Sequence, residues 1–243
     1  MIRINTIIWG AIVGLSSPNA MALDIREPSF EEVLILGSKE DKSKLAGSGI
    51  SIGPELIEKQ SYTDLNQILS MAPGVYVREE DGYGLRPNIG IRGATSERSQ
   101  KITIMEDGVL IAPAPYSAPA AYYITNAARI YALEVLKGPA SIQFGPHTVG
   151  GAVNLVTRPA SWGSFVELDY TAGTDQFQKA SVASEWVTDT ASYMFDALHY
   201  SSDGFKTLEA GGDTGFERND FNVKMHWKPE TDLKQSIVLK IGY

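Results

Sequence analysis

The chain has three histidines, His147, His199 and His226, and no two of them stand at the spacing of a metal-binding pair. It has no cysteine that could complete such a set. GSGISIG (Gly47 to Gly53) has the outline of a dinucleotide loop, but its third glycine comes one residue late and no strand–loop–helix unit surrounds it. No GKS or GKT phosphate loop occurs. Carboxylates are abundant, yet none is paired as a general acid and base require. Enzyme chemistry therefore finds no footing, and neither a cofactor nor a catalytic metal is expected. Binding is what remains. Two loops, 79–88 and 112–125, are long for the small domain that holds them, and loops of that kind usually bind something.

The elements around those loops read as a compact α/β-type unit over 51–158. Pro54 can open a short helix. Leu65, Ile68, Leu69 and Ala72 share one helical face, with Thr63 or Asp64 as cap and Pro73-Gly74 as stop. Short strands are predicted at 75–78, 89–92, 101–105 and 109–111, the last two joined by the tight turn Asp107-Gly108. Two more are predicted at 133–137 and 152–157. Between them the chain turns at Gly138-Pro139 and Gly145-Pro146, and Gly150-Gly151 lets the backbone bend without a side chain.

The N-terminus sets the compartment. Residues 1–22 carry Arg3, an apolar stretch from Ile7 to Leu15, and a small-x-small end at Ala20-Met21-Ala22, the pattern of a secretory signal peptide. Nine apolar residues are too few to cross a bilayer core, which needs about 20. Without Arg3 the count is 20 basic against 29 acidic residues, a net charge of −9. That balance disfavours nucleic acid, which requires a basic face. An exported protein without disulfides must be held by its core, by sheet closure or by a membrane.

From Ser161 the periodicity becomes two. Val166, Leu168, Tyr170 and Ala172 alternate with polar residues, as do Phe221, Val223, Met225 and Trp227. Weaker alternation runs through 180–186, 193–200 and 237–243. This pattern suits outer-membrane strands with lipid outside and a wet lumen inside, although a soluble sandwich alternates in the same way. Connections of short, short, long and short type favour the membrane reading. A closed bacterial barrel needs at least about eight strands, so five strands suggest a fragment or a truncated product.

In chain order, DLNQILSMAPGVYV (from Asp64), NIGIRG (from Asn88), EDGVLIAPAPY (from Glu106) and RIYALEVLKGPASIQFGPHTVGGAVNLVTR (from Arg129) follow the plug-domain pattern of TonB-dependent outer-membrane receptors. The chain resembles that family across its mature length, and APAPYSAP with FGPHTVGGAVN looks most like the ferric dicitrate receptors. The resemblance implies an α+β plug domain (50–159) followed by the first antiparallel strands of a transmembrane β-barrel (160–243). A flexible arm (23–49) would precede the plug and carry a TonB box: Glu31, Glu32, Val33, Leu34, Ile35, Leu36 and Gly37.

It further implies outer-membrane localisation, contact with lipid, and TonB of the inner-membrane energy-transducing complex as partner. The ligand would be a ferric chelate such as iron citrate or another siderophore, with cobalamin, haem or a sugar as alternatives. Plug contacts would come from Arg86, Asn88, Tyr116, Tyr122 and Tyr123, since an arginine donates paired hydrogen bonds to carboxylate and nearby rings exclude water. Arg92 and Arg158 would face barrel glutamates and latch the plug. Only Leu23 to Phe30 separate the expected cleavage site from the box, which favours transport over transcriptional signalling.

Overall fold

The computed structural model describes residues 47–60, 62–111, 123–160, 163–209, 211–212, 214–229 and 236–242. These divide into two compact units, one within Glu31–Pro159 and one within Ala160–Tyr243. The expected signal peptide and TonB box lie outside the described residues.

The first unit is built on a mixed five-stranded sheet. Its strands are β1 (Ser48–Ile52), β4 (Ile102–Glu106), β5 (Val109–Leu110), β6 (Ile130–Lys137) and β7 (Gly151–Thr157), in the order β1-β6-β7-β4-β5. Only β4 and β7 run parallel. A separate hairpin pairs β2 (Val75–Arg78) with β3 (Asn88–Ile91). Helix α1 (Pro54–Gln60) buries Ile57. Helix α2 (Leu65–Ser70) starts at Asp64, whose extended backbone and Oδ1, accepting from Gln67 N at 3.0 Å, make it the N-cap. Capping of this kind contributes about 1 kcal/mol.

β4 and β7 are buried at every position, and β6 at all but Tyr131. Both sheet faces are therefore covered, which is why these strands read as continuous apolar runs rather than alternating ones. One face carries Leu133, Val135, Val153, Leu155, Ile102 and Ile104 against Leu65, Ile68 and Leu69 of α2. Each such side chain contributes about 1.5–3 kcal/mol by leaving water. On the other face Met105, Leu136 and Ala152 pack under Ala140 and Phe144, which belong to the 3-10 turn Pro139–Phe144.

That turn explains the glycines and prolines between β6 and β7. The chain must reverse within 13 residues (138–150) and return antiparallel beside β6. A Cβ on Gly151 would lie 2.4 Å from the carbonyl oxygen of Leu136, so only glycine lets the strands close at that point. Gly145 is needed for a different reason: space around it is open, but its φ is +113°.

The second unit is an antiparallel meander of β8 (Phe165–Ala172), β9 (Gln178–Val187), β10 (Ala191–Ser202), β11 (Phe216–Trp227) and β12 (Ile237–Gly242), each paired with the next. Its faces are inverted relative to a soluble sheet. Val166, Leu168, Tyr170, Tyr193, Phe195, Phe221 and Val223 are exposed, whereas Lys179, Glu185, Asp220, Asn222, Lys224 and His226 are buried. A contiguous apolar outer face with a charged inner one fits lipid outside and water inside, and it sets aside the soluble sandwich. Among the described residues the sheet is open, as an incomplete barrel would be.

Sequence reading placed most strands within a few residues. β6 begins at Ile130 rather than 133, because a register shift between Ile130 and Ala132 lets the early residues pair. β10 and β11 are each 12 residues long and pair out to Ser202 and Phe216, which shortens the long connection to 203–215.

Candidate functional site

The loop between β2 and β3 is organised by one carboxylate. Asp81 Oδ1 accepts from the amides of Tyr83 (2.6 Å) and Leu85 (3.3 Å), and Oδ2 accepts from Arg86 N (3.0 Å). Arg86 emerges exposed at the end of this turn. Asn88 stands beneath it and is 3% exposed. Its Nδ2 donates to Arg78 O (3.2 Å) and its Oδ1 accepts from Arg98 N (2.9 Å). Ser99 completes the base, taking Ile89 N and donating to Pro87 O. Of the two residues expected to bind ligand here, Arg86 is presented outward, while the amide of Asn88 is engaged in fixing the loop.

The second candidate loop lies largely outside the described residues, and with it Tyr116 and Tyr122. Tyr123, at its end, is 42% exposed, but its hydroxyl joins a buried polar cluster. The hydroxyl donates to Glu106 Oε2 at 2.9 Å and accepts from Arg129 Nη2 at 2.6 Å. Arg129 Nη2 also lies 3.3 Å from both oxygens of Glu106, which accepts a further bond from Thr125 Oγ1. Asn126 holds the backbone of this corner by accepting from Arg129 N. Burial, and secondarily the charge of Glu106, push the Tyr123 hydroxyl up to about 12, against the opposing pull of Arg129. Tyr123 is thus held as a neutral phenol and ties the loop to β4.

The adjoining turn is equally constrained. Asn154 donates to Glu134 (2.9 Å) and accepts from Gly108 N (2.8 Å). Asp107 accepts from Thr157 N and Thr157 Oγ1, both at 2.7 Å. The Asp107-Gly108 turn is therefore pinned to β7, which Asn154 ties in turn to Glu134 of β6.

The two arginines expected to latch the plug stand near opposite ends of β6. Arg92, at φ +50°, donates Nη2 to Ser48 Oγ (2.8 Å), and its amide bonds to Gly74 O. Its cationic neighbour is Lys137, whose Nζ donates to Pro73 O at 2.7 Å. Burial, then the nearby Arg92 charge, lowers the Lys137 ammonium below the usual lysine range. Arg158 follows Thr157, which pairs with Ile130 at the far end of β6 from Lys137. Seven strand steps separate those ends, about 23 Å. The cation beside Arg92 is therefore Lys137, which sequence reading missed. Its spacing is that of an ordinary strand-end lysine, and only the Pro73-Gly74 turn brings the two together. Glu106, Arg129 and Glu134 were missed as well, because a charged residue inside an apolar strand run carries no mark of its partner.

No group of three or more metal-ligating side chains occurs among the described residues. Among the described residues, the first unit is a domain whose loops and turns are pinned by buried polar contacts.

Comparison with known proteins agrees with this geometry. Residues 41–152 match the family model of the TonB-dependent receptor plug domain. The ferric enterobactin receptor PfeA of Pseudomonas aeruginosa, solved with enterobactin, is similar at 22% identity and a TM-score of 0.64, covering 80% of this chain and 32% of its own. The siderophore receptor PirA of Acinetobacter baumannii gives 22% identity and 0.63 over 84% of this chain and 32% of its own. The ferric citrate transporter FecA, unliganded, gives 21% and 0.53 over 79% of this chain and 39% of its own. The chain thus spans about a third of the length of these structures. The match over 41–152 identifies that part of the chain as a TonB-dependent receptor plug domain, and the antiparallel strands after it share the fold of these receptors.

Proposed function

We propose that the protein serves active uptake of a ferric chelate across the bacterial outer membrane, with the 47–159 unit as the gate. The observation that carries this reading is the succession of a polar-pinned plug and a sheet whose apolar face is exposed and charged face buried. Relatives described as ferric enterobactin, siderophore and ferric citrate receptors support iron chelates as the ligand class. Arg86 would meet an anionic chelate with paired donors, and Tyr116, Tyr122 and the Tyr123 end of the second loop would line its approach. Asp81 holds the backbone of Arg86, and Asn88 fixes the base of the same loop. The segment Glu31 to Gly37 would add as a strand to TonB, loading several backbone hydrogen bonds at once when pulled. Arg92, together with Lys137, would hold the plug against barrel carboxylates until that pull arrives, with Arg158 as a separate contact at the other end of the sheet. The test is ferric citrate titration of the receptor and its Arg86→Ala variant. An affinity loss of about tenfold or more, the loss of one charge-assisted bond, is expected. Equal affinity would remove Arg86 from the site, and binding of a neutral ligand in place of ferric citrate would refute the iron assignment.

A further inference from the structure

On the outward face of β10 and β11 the apolar rows stop at one level. Tyr193, Phe195 and Ala197 stand opposite Met225, Val223 and Phe221, and the next two rows are His199 opposite Asn219 and Ser201 opposite Glu217. β9 changes at the same height, with Val182 beside Ala197 but Gln178 beside Ser201. The polar residues form one hydrogen-bonded chain. Asn219 Nδ2 donates to Glu217 Oε1 at 3.1 Å, which turns Asn219 Oδ1 toward His199 Nδ1 at 2.9 Å. His199 Nε2 lies 3.3 Å from Ser201 Oγ.

The protons follow from that order. Since the Asn219 amide donates to the carboxylate, its carbonyl accepts from His199 Nδ1–H, and Nε2 faces the Ser201 hydroxyl. Both ends of the chain are left as acceptors: the second oxygen of Glu217 and the lone pairs of Ser201. A cavity of about 470 Å³ opens here, lined by Gln176, Gln178, Asp203 and Phe216 together with members of the chain. That volume lies within the range of small-molecule sites, about 300–1,000 Å³. Its lining holds two carboxylates, Asp203 and Glu217, and neither lysine nor arginine. Such a surface repels phosphate and suits a ligand rich in hydroxyl and ammonium donors.

We propose that this rim binds an amino sugar, its ammonium group on Glu217 and Asp203 and its hydroxyls on Ser201 and the glutamine amides. The sugar could arrive as the headgroup of a glycolipid or free from solution. The glycolipid source rests on the reading above that the apolar rows just below face lipid.

The experiment places the receptor in phosphatidylcholine nanodiscs and follows the His199 imidazole by nitrogen NMR. Three probes are titrated: a glucosamine disaccharide, a glycolipid carrying that disaccharide, and inorganic phosphate. Saturable His199 shifts with the glycolipid alone assign the site to a headgroup, and shifts with the free disaccharide as well assign it to soluble sugar. Glu217→Gln should weaken binding about tenfold, the loss of one charge-assisted bond. Ser201→Ala, at the other end of the chain, should weaken it less. No shift with either sugar, phosphate binding as strong as sugar binding, or a Glu217→Gln variant that binds like wild type would overturn the proposal. Flotation with the nanodiscs is scored separately. Protein that stays out of the bilayer refutes the lipid-facing reading, whereas protein that inserts without binding sugar refutes only this site.

Discussion

Replacing Glu106 with glutamine keeps the shape of the residue and removes its charge. The consequence is set by what surrounds it. Glu106 accepts from Arg129, Tyr123 and Thr125, and the side chains of Arg129 and Glu106 are only 5% and 9% exposed. Breaking a buried ion pair by removing one partner costs about 3–5 kcal/mol, because the remaining charge is left uncompensated. Glutamine can still accept from the hydroxyls, so about 3 kcal/mol is expected for Glu106→Gln and about 5 kcal/mol for Glu106→Ala. At 1.4 kcal/mol per factor of ten, about 3 kcal/mol raises amide hydrogen exchange in β4, β6 and β7 by roughly two orders of magnitude. Mass-resolved exchange of the whole chain reads this directly. Ultraviolet titration should meanwhile show Tyr123 ionising at lower pH, since the Glu106 charge that adds to the effect of burial is gone. A double variant, Glu106→Met with Arg129→Met, removes both charges and should recover much of the protection. Exchange changed less than about fivefold, with Tyr123 still near 12, would refute the cluster as the brace of the loop.

Three further outcomes follow from the same structure. Plug stability should fall as pH rises from about 10 to about 12, because the folded state keeps the Tyr123 proton that the unfolded chain releases near 10; Tyr123→Phe should flatten that region of a denaturation series, and an unchanged profile counts against the cluster. Ile35→Pro removes a backbone donor from the expected TonB box, so uptake should stop while ligand binding survives, and loss of both would place the segment in the plug core. Arg92→Ala and Lys137→Ala should each raise antibiotic leakage through the receptor more than Arg158→Ala does, and equal permeability in all three would set aside a latch at the Pro73-Gly74 turn.

Much of this was legible in the sequence, for identifiable reasons. β2 was placed residue for residue at 75–78 because Pro73-Gly74 stops the chain just before it, and the cap was narrowed to Thr63 or Asp64, of which the structure uses Asp64. The barrel strands were visible through their period of two, which a sheet wet on one side and apolar on the other must have. A period has no sign, so the outward direction of the apolar face came from the short, short, long and short connections rather than from the alternation itself. Lys137 as the neighbour of Arg92 was not legible either: the two are 45 residues apart in sequence, and their meeting depends on the register of β6 and the Pro73-Gly74 turn. Asn88 reads as a binding residue from its loop position, yet its side-chain amide is engaged with the backbone of Arg78 and Arg98.

The central claim is that energy from the inner membrane drives a ferric chelate past this plug. Radiolabelled ferric citrate uptake, measured in paired strains with and without TonB and with this receptor as the only route for the chelate, tests it most directly. The account predicts accumulation that requires TonB and collapses when the proton gradient is discharged, with surface binding retained in both strains. Accumulation that continues at the same rate without TonB, or surface binding that is absent altogether, would contradict it.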